Sequence, residues 1–408
     1  MKSRGTSAAS ATSTHGTSLS SANSRPEGSP PVGGNRLQLL KDGPETYAAM
    51  RAAIGSATDH INLESYCIED DEVGRAFAAL LLEKRAAGVE VNVIYDSAGA
   101  FLTPTDFFDR LRDAGARVVE FNPLNPLTVG KRDWCLKLRD HRKLLIVDGV
   151  NAFVGGINIS EVYSSGSFIR RRRPTARPSG WRDTHLEIEG PAVAEFQRLF
   201  LDTWRRQDGP PLMTAQYFPE LHPAGEGVVR AIGSMGGAEG VSEIYEALLD
   251  TMREATSHIY LTVAYFAPDR PLLNTLKGAA ARGVDVRMIM PSTTDSWAVF
   301  HVGRSYFETL LEAGVRIFER RGSVMHAKTA VIDGVWSTIG STNLDWLSLY
   351  YNDELNAVVL SEDFAAKMDR LFADDLAHSD EVKLRQWRRR PLPARALEWS
   401  ARLIERVL

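Results

Sequence analysis

From residue 35 onward, short apolar runs alternate with longer stretches in which apolar positions recur every three or four residues. Tyr47, Met50 and Ile54 have that spacing and predict a helix over about 43–57. A strand follows over His60–Tyr66, then a helix from about Asp71 to Ala87. "GVEVNVIYDS" reads as a buried strand, and "FFDRLRDAGARVVEFNP" as a helix that stops at Gly115 before another strand. Strands and helices in alternation predict an α/β fold, a mostly parallel β-sheet flanked by helices.

The same pattern comes round twice. "ATSHIYLTVAYF" answers "ATDHINLESYCI", "ARGVDVRMIMPS" answers "AAGVEVNVIYDS", and "LLEAGVRIFERRG" answers "RLRDAGARVVEFNP". A fourth pair, "HRKLLIVDGVNAFVGGINIS" and "HAKTAVIDGVWSTIGSTNLD", keeps the order. The repeat is of domain size, which predicts two similar lobes about a pseudo-twofold axis with a site at their seam. The expected divisions are a disordered tail (1–34), a first lobe (35–207), a linker (208–240), a second lobe (241–380) and a basic helical tail (381–408). The tail assignment rests on a Ser/Thr/Ala/Gly/Pro-rich start without the apolar core of a secretory signal.

Composition narrows the partners. With 408 residues and a net charge of −4, the chain as a whole is no polyanion binder, so any affinity for phosphate-rich surfaces must be local. Local excess exists: residues 131–182 carry a charge of +8 and residues 383–408 a charge of +6. Cys67 and Cys135 stand apart without Cys-x-x-Cys spacing, which argues against a disulfide framework or a zinc site and for a reducing compartment. No run of about 18 apolar residues is present, so no membrane-spanning helix is expected.

The chemistry concentrates in "HRKLLIVDG" and "HAKTAVIDG". On a strand, residues two apart share a face, so His141 projects with Lys143 and His326 with Lys328. Asp148 and Asp333 close each motif before a turn glycine; for these two a structural role at the strand end outweighs a chemical one. Asn158 and Asn343 each follow their histidine by 17 residues, behind small residues that let backbone N–H groups approach an anion. Imidazole, ammonium and amide together form a phosphate-binding set. Asp183, in "WRDTHLEI", and Glu354, in "NDELNAVV", occupy matching places and could orient the imidazoles. The scheme that follows has one histidine attacking phosphorus and the other serving as acid, then base. The lysines and asparagines hold the oxygens; no metal and no cofactor is needed.

These residues give the chain its resemblance to the phospholipase D superfamily, from about residue 35 to the final helix. It most resembles bacterial cardiolipin synthases of the type without transmembrane helices, through "NLESYCIEDDEVG", "WRDTHLEIEGPAV" with "FQRLFLDTW", and "STNLDWLSLYYNDELNAVV". The resemblance implies two duplicated phospholipase D-like lobes and a phosphohistidine intermediate, with His141 as nucleophile. It also implies transfer of a phosphatidyl group from phosphatidylglycerol to the hydroxyl of a second phospholipid. A hydrolytic phospholipase D using the same residues, or a phospholipase D-like nuclease, is the alternative. Phospholipid is the expected substrate and an anionic membrane surface the expected partner, with peripheral attachment at the cytoplasmic face. Trp, Leu and Phe beside arginines, as in "WRRRPLPARALEWSARLIERVL", favour lipid, and the aromatic interleaving of a nucleic-acid groove is missing around the motifs. No nucleic acid is therefore expected, and a monomer suffices for a complete site. The arginine-rich stretch Arg170–Arg173 is a candidate headgroup loop.

Overall fold

The structure, a computed structural model, describes residues 29–125, 137–165, 179–212, 216–237 and 242–403. The first lobe runs β1 (Val32–Lys41), α1 (Asp42–Ser56), β2 (His60–Ser65), α2 (Glu72–Ala86), β3 (Glu90–Asp96), α3 (Thr105–Asp113) and β4 (Arg117–Phe121). It continues with β5 (Lys143–Val147), β6 (Asn151–Gly155), β7 (Ser179–Arg182), β8 (Thr184–Glu189) and α4 (Val193–Arg206). The second lobe repeats the plan with β9 (Gly227–Gly233), α5 (Glu243–Glu254), β10 (His258–Thr262), α6 (Arg270–Ala281), β11 (Asp285–Pro291), α7 (Trp297–Ser305) and α8 (Phe307–Glu312). Then come β12 (Arg316–Arg320), β13 (Ser323–Met325), β14 (Thr329–Ile332), β15 (Trp336–Gly340), α9 (Trp346–Tyr350) and β16 (Leu355–Leu360). The described chain closes with α10 (Glu362–Ala377), β17 (Ser379–Glu381), α11 (Leu384–Trp387) and α12 (Leu392–Ala401).

Fifteen strands form one continuous sheet, in the order β17-β12-β11-β10-β14-β15-β16-β9-β1-β8-β6-β5-β2-β3-β4. Parallel pairing in it is confined to β2-β3-β4 and β10-β11-β12, the βαβ cores of the two lobes. The motif strands β5 and β14 join these cores antiparallel and lead at once into hairpins with β6 and β15. A three-residue connection can only reverse the chain, so the α/β class holds with a mixed rather than mostly parallel sheet. The turn itself is written in the motif. Asp148 and Gly149 have φ of 52° and 65°, and Asp333 and Gly334 have 52° and 67°, as a type I′ hairpin requires.

Alternation along the strands sorts the core into layers. In β5, Leu145 and Val147 face α1, α2 and α3, while Leu144 and Ile146 face the opposite side with Phe196 and Phe200 of α4. That second layer does not stop at the seam. It runs on through Val229 of β9, Ile339, Leu355 and Val359 to Phe364 and Met368 of α10. The lobes therefore share a core. β9 lies inside the segment read as a linker and pairs with β16 and β1, so the second lobe begins earlier than the Pro- and Gly-rich composition suggested. β1 likewise starts at Val32, within the segment read as tail. Polar ties reinforce the seam: Arg182 grips Asp375 of α10 in a buried fork at 2.9 and 2.7 Å.

Candidate active site

His141 stands two residues before β5 and His326 three before β14, each fixed by a backbone bond from the other lobe. The His141 N–H donates to Asp353 O, and the His326 N–H to Arg182 O, both at 2.8 Å. These bonds place both histidines on one cavity of about 490 Å³, with Asn158, Asn343, Tyr66, Tyr163, Trp181, Tyr265 and Arg139 among its walls.

The carboxylates cross over. Glu354 of the second lobe lies 3.0 Å from His141 Nδ1 in the first, and Asp183 of the first lobe lies 2.7 Å from His326 Nδ1 in the second. With Nδ1 committed to a carboxylate, Nε2 of His141 is the atom left for chemistry in the cavity, whereas Nε2 of His326 also meets Lys328 Nζ. The glycines in front of Asn158 have a different purpose from the expected one. A Cβ at Gly156 would sit 2.2 Å from Asp183 Oδ1, so glycine here admits the protein's own carboxylate. Its counterpart Ser341 instead donates to Glu354 Oε2 at 2.5 Å.

Lys143 Nζ donates to His141 O at 2.6 Å, and Lys328 Nζ lies 3.0 Å from the His326 ring nitrogens. Asn158 accepts from Cys67 N at 3.3 Å and donates to Tyr163 Oη at 3.2 Å. Asn343 Oδ1 is buried without a hydrogen-bond partner among the described residues. Asp148 and Asp333 stand apart from the cavity. Asp148 accepts from Thr58 N, Thr58 Oγ1, Asp59 N and His60 N at 2.8–3.0 Å. Asp333 repeats this with Thr256 N, Thr256 Oγ1, Ser257 N and His258 N. They lie a whole strand away from the histidines, and their contacts are those of structural residues at the strand end. The motif aspartate clamps the hairpin to the start of β2 or β10. Arg170–Arg173 fall outside the described residues.

Electrostatics follow from burial. It pushes the His141 imidazole down to about 4 against the pull of Glu354. It pushes Lys143 down to about 7 and Lys328 to about 8. Burial and then Lys328 lower His326. Burial works to raise the Glu354 carboxyl, yet His141 and Lys143 hold it down at about 2. Asp183 is likewise held below the ordinary carboxylate range, by His326 and Lys328 against its burial. At neutral pH the resting site thus contains ionised carboxylates and neutral imidazoles. A monoanionic phosphodiester entering between them would raise the imidazoles and allow one to take a proton.

This geometry can be set beside known proteins. The family model described as "Cardiolipin synthase, PLD-like domain" matches residues 50–166 and 248–376, one segment in each lobe. A cardiolipin synthase of Geobacillus sp. (strain WCH70) is 36% identical over 375 residues, covering 91% of this chain and 72% of the relative. The chain belongs to the cardiolipin synthase family of phospholipase D-like proteins. A second relative in that family, the cardiolipin synthase of Alkalihalophilus pseudofirmus, is 35% identical over 378 residues, 92% of this chain and 72% of its own length. Among solved structures, a phosphatidylserine synthase from Haemophilus influenzae shares the fold with a TM-score of 0.65 at 14% identity, over 91% of this chain and 95% of that one. Among the described residues, no helix is long and apolar enough to cross a membrane.

Sequence reasoning missed the aromatic frame. Tyr163 Oη lies 3.2 Å from His326 Nδ1, and the Trp181 ring lies 4.8 Å from the His326 ring. Tyr66 stands 5.1 Å from the His141 ring. Trp181 stands two residues before Asp183, but nothing local showed that "WRD" would reach the histidine of the other lobe.

Proposed function

We propose that this protein is a phosphatidyltransferase of the cardiolipin synthase type, working through the paired His-x-Lys-x-x-x-x-Asp (HKD) motifs. The observation that supports it most is the crossed arrangement: two imidazoles on one cavity, each held at Nδ1 by a carboxylate of the opposite lobe. His141 Nε2 attacks the phosphorus of phosphatidylglycerol, forming a P–N bond while the P–O bond to glycerol breaks. His326, protonated once the anionic substrate is bound, gives its proton to the departing glycerol oxygen. It then takes the proton of the hydroxyl of a second phospholipid, which attacks the phosphohistidine and frees His141. Lys143, Lys328, Asn158 and Asn343 stabilise the oxygens that gain charge. One folded chain supplies both half-sites, so a monomer is enough. Attachment is peripheral, at an anionic membrane surface on the cytoplasmic face.

The test uses purified protein, detergent-dispersed phosphatidylglycerol and mass spectrometry of the products. Cardiolipin with an equal amount of glycerol is expected. Phosphatidic acid alone would replace the transferase by a hydrolase.

A further inference from the structure

The cavity that holds the histidines is walled by polar groups and aromatic rings, and the segments that line it lead into some of the most exposed large apolar side chains among the described residues. Ala98 and Gly99, just beyond β3, line the cavity; Phe101 and Leu102 follow and are 71% and 89% exposed. In the second lobe Ser296 and Val299, beyond β11, line the same cavity, and Trp297 between them is 56% exposed. The two tips follow corresponding strands of the duplication, β3 and β11, and both adjoin segments that line the one cavity.

A third apolar element adjoins them. α12 packs on α7, the helix that Trp297 opens, and Arg304 of α7 meets Glu398 of α12 at 3.4 Å. α12 and the residues after it leave Leu392, Trp399 and Leu403 outward, 74%, 66% and 77% exposed. Isolated exposed apolar residues are ordinary, whereas a ring of them about a substrate entrance is not. Large aromatic and aliphatic tips around a polar mouth suit the boundary between headgroups and acyl chains.

We propose that Phe101, Leu102 and Trp297, with the outward face of α12, form a bilayer-docking rim that seats the mouth of the cavity on a phospholipid surface. A headgroup phosphodiester then enters while its acyl chains stay in the membrane. This deepens the phosphatidyltransferase reading and rests on it for the identity of the lipid. α12 is docked on its own lobe through α7 and keeps a second face for the membrane.

The experiment compares the full chain with a Phe101→Glu/Leu102→Glu/Trp297→Glu variant. Val335→Glu serves as a control, in the β14–β15 turn at the far end of the strand from His326. Flotation with vesicles of phosphatidylglycerol and phosphatidylcholine measures binding. Turnover is measured on those vesicles and on short-chain phosphatidylglycerol kept below its micelle concentration. For the rim variant, placing carboxylates at an apolar interface predicts at least about a tenfold loss of vesicle binding and vesicle turnover. Its turnover of monomeric lipid and the behaviour of Val335→Glu should stay unchanged. Unaltered flotation of the rim variant overturns the proposal, as does an equal loss on monomeric lipid, which would place these residues in the chemistry. Rim-dependent flotation without any cardiolipin would leave the docking rim standing and remove the transferase reading instead.

Discussion

At each histidine the deciding contact is on Nδ1, because a carboxylate there selects the tautomer that leaves Nε2 basic. Glu354→Gln and Asp183→Asn keep the shape and remove that preference, so each should lower kcat by at least about 100-fold with little change in KM. His141→Ala and His326→Ala should each lower turnover by at least roughly 1,000-fold with thermal unfolding nearly unchanged. Strong residual activity in either would sink the shared-site scheme. The pH profile carries a second check. The free His141 imidazole stays neutral down to about pH 4, whereas Lys143 and Lys328 lose their protons near 7 and 8. His326 must gain a proton to act as the acid, and burial with Lys328 lowers it from the ordinary histidine value. kcat/KM should therefore decline with rising pH from below about 6.5 and fall further above about 7 as the lysine charge is lost. A first limb at the unshifted histidine value of about 6.5 would contradict this.

The strand-turn-strand element explains why the motif ends in Asp-Gly. Asp148 and Asp333 accept the left-handed conformation and satisfy three backbone N–H groups and one hydroxyl each. Asp148→Ala should destabilise the fold by about 1–3 kcal/mol, read as a lower unfolding midpoint, while folded protein at low temperature keeps most of its activity. Asp148→Asn should lose less, because it tolerates the same backbone conformation. Burial works to raise both carboxyls, but their backbone donors hold them below the ordinary range. Their contribution is therefore present above that range and lost as pH falls through the depressed values.

For the molecule as a whole, the continuous sheet and the shared layer from Ile146 to Met368 mean that neither lobe owns its core. Calorimetric unfolding should show one transition, with calorimetric and van't Hoff enthalpies in agreement. Two resolved transitions would show that the lobes melt separately. Positive charge at the site comes from lysines on the chain itself, so turnover should survive excess chelator. Activity lost to the chelator and restored by a divalent ion would overturn the metal-free scheme.

Local chemistry alone determined much of this protein. Apolar periodicity marked most of the strands and helices, and the repeat predicted two lobes. The pairing of His141 with Lys143, and of His326 with Lys328, was legible in the repeated motif, although His141, His326 and Lys328 lie just before β5 and β14 rather than on the strands. Asp-Gly announced its turn for an equally local reason. β9 was hidden because a seven-residue strand between Pro- and Gly-rich stretches makes a weak local signal, and its partners β1 and β16 are distant in the chain. Only the tertiary structure decided that Glu354 serves His141 and Asp183 serves His326. That exchange depends on which strand ends meet at the seam, a packing outcome of the shared core that no local spacing encodes. The same packing set Tyr163 and Trp181 against His326.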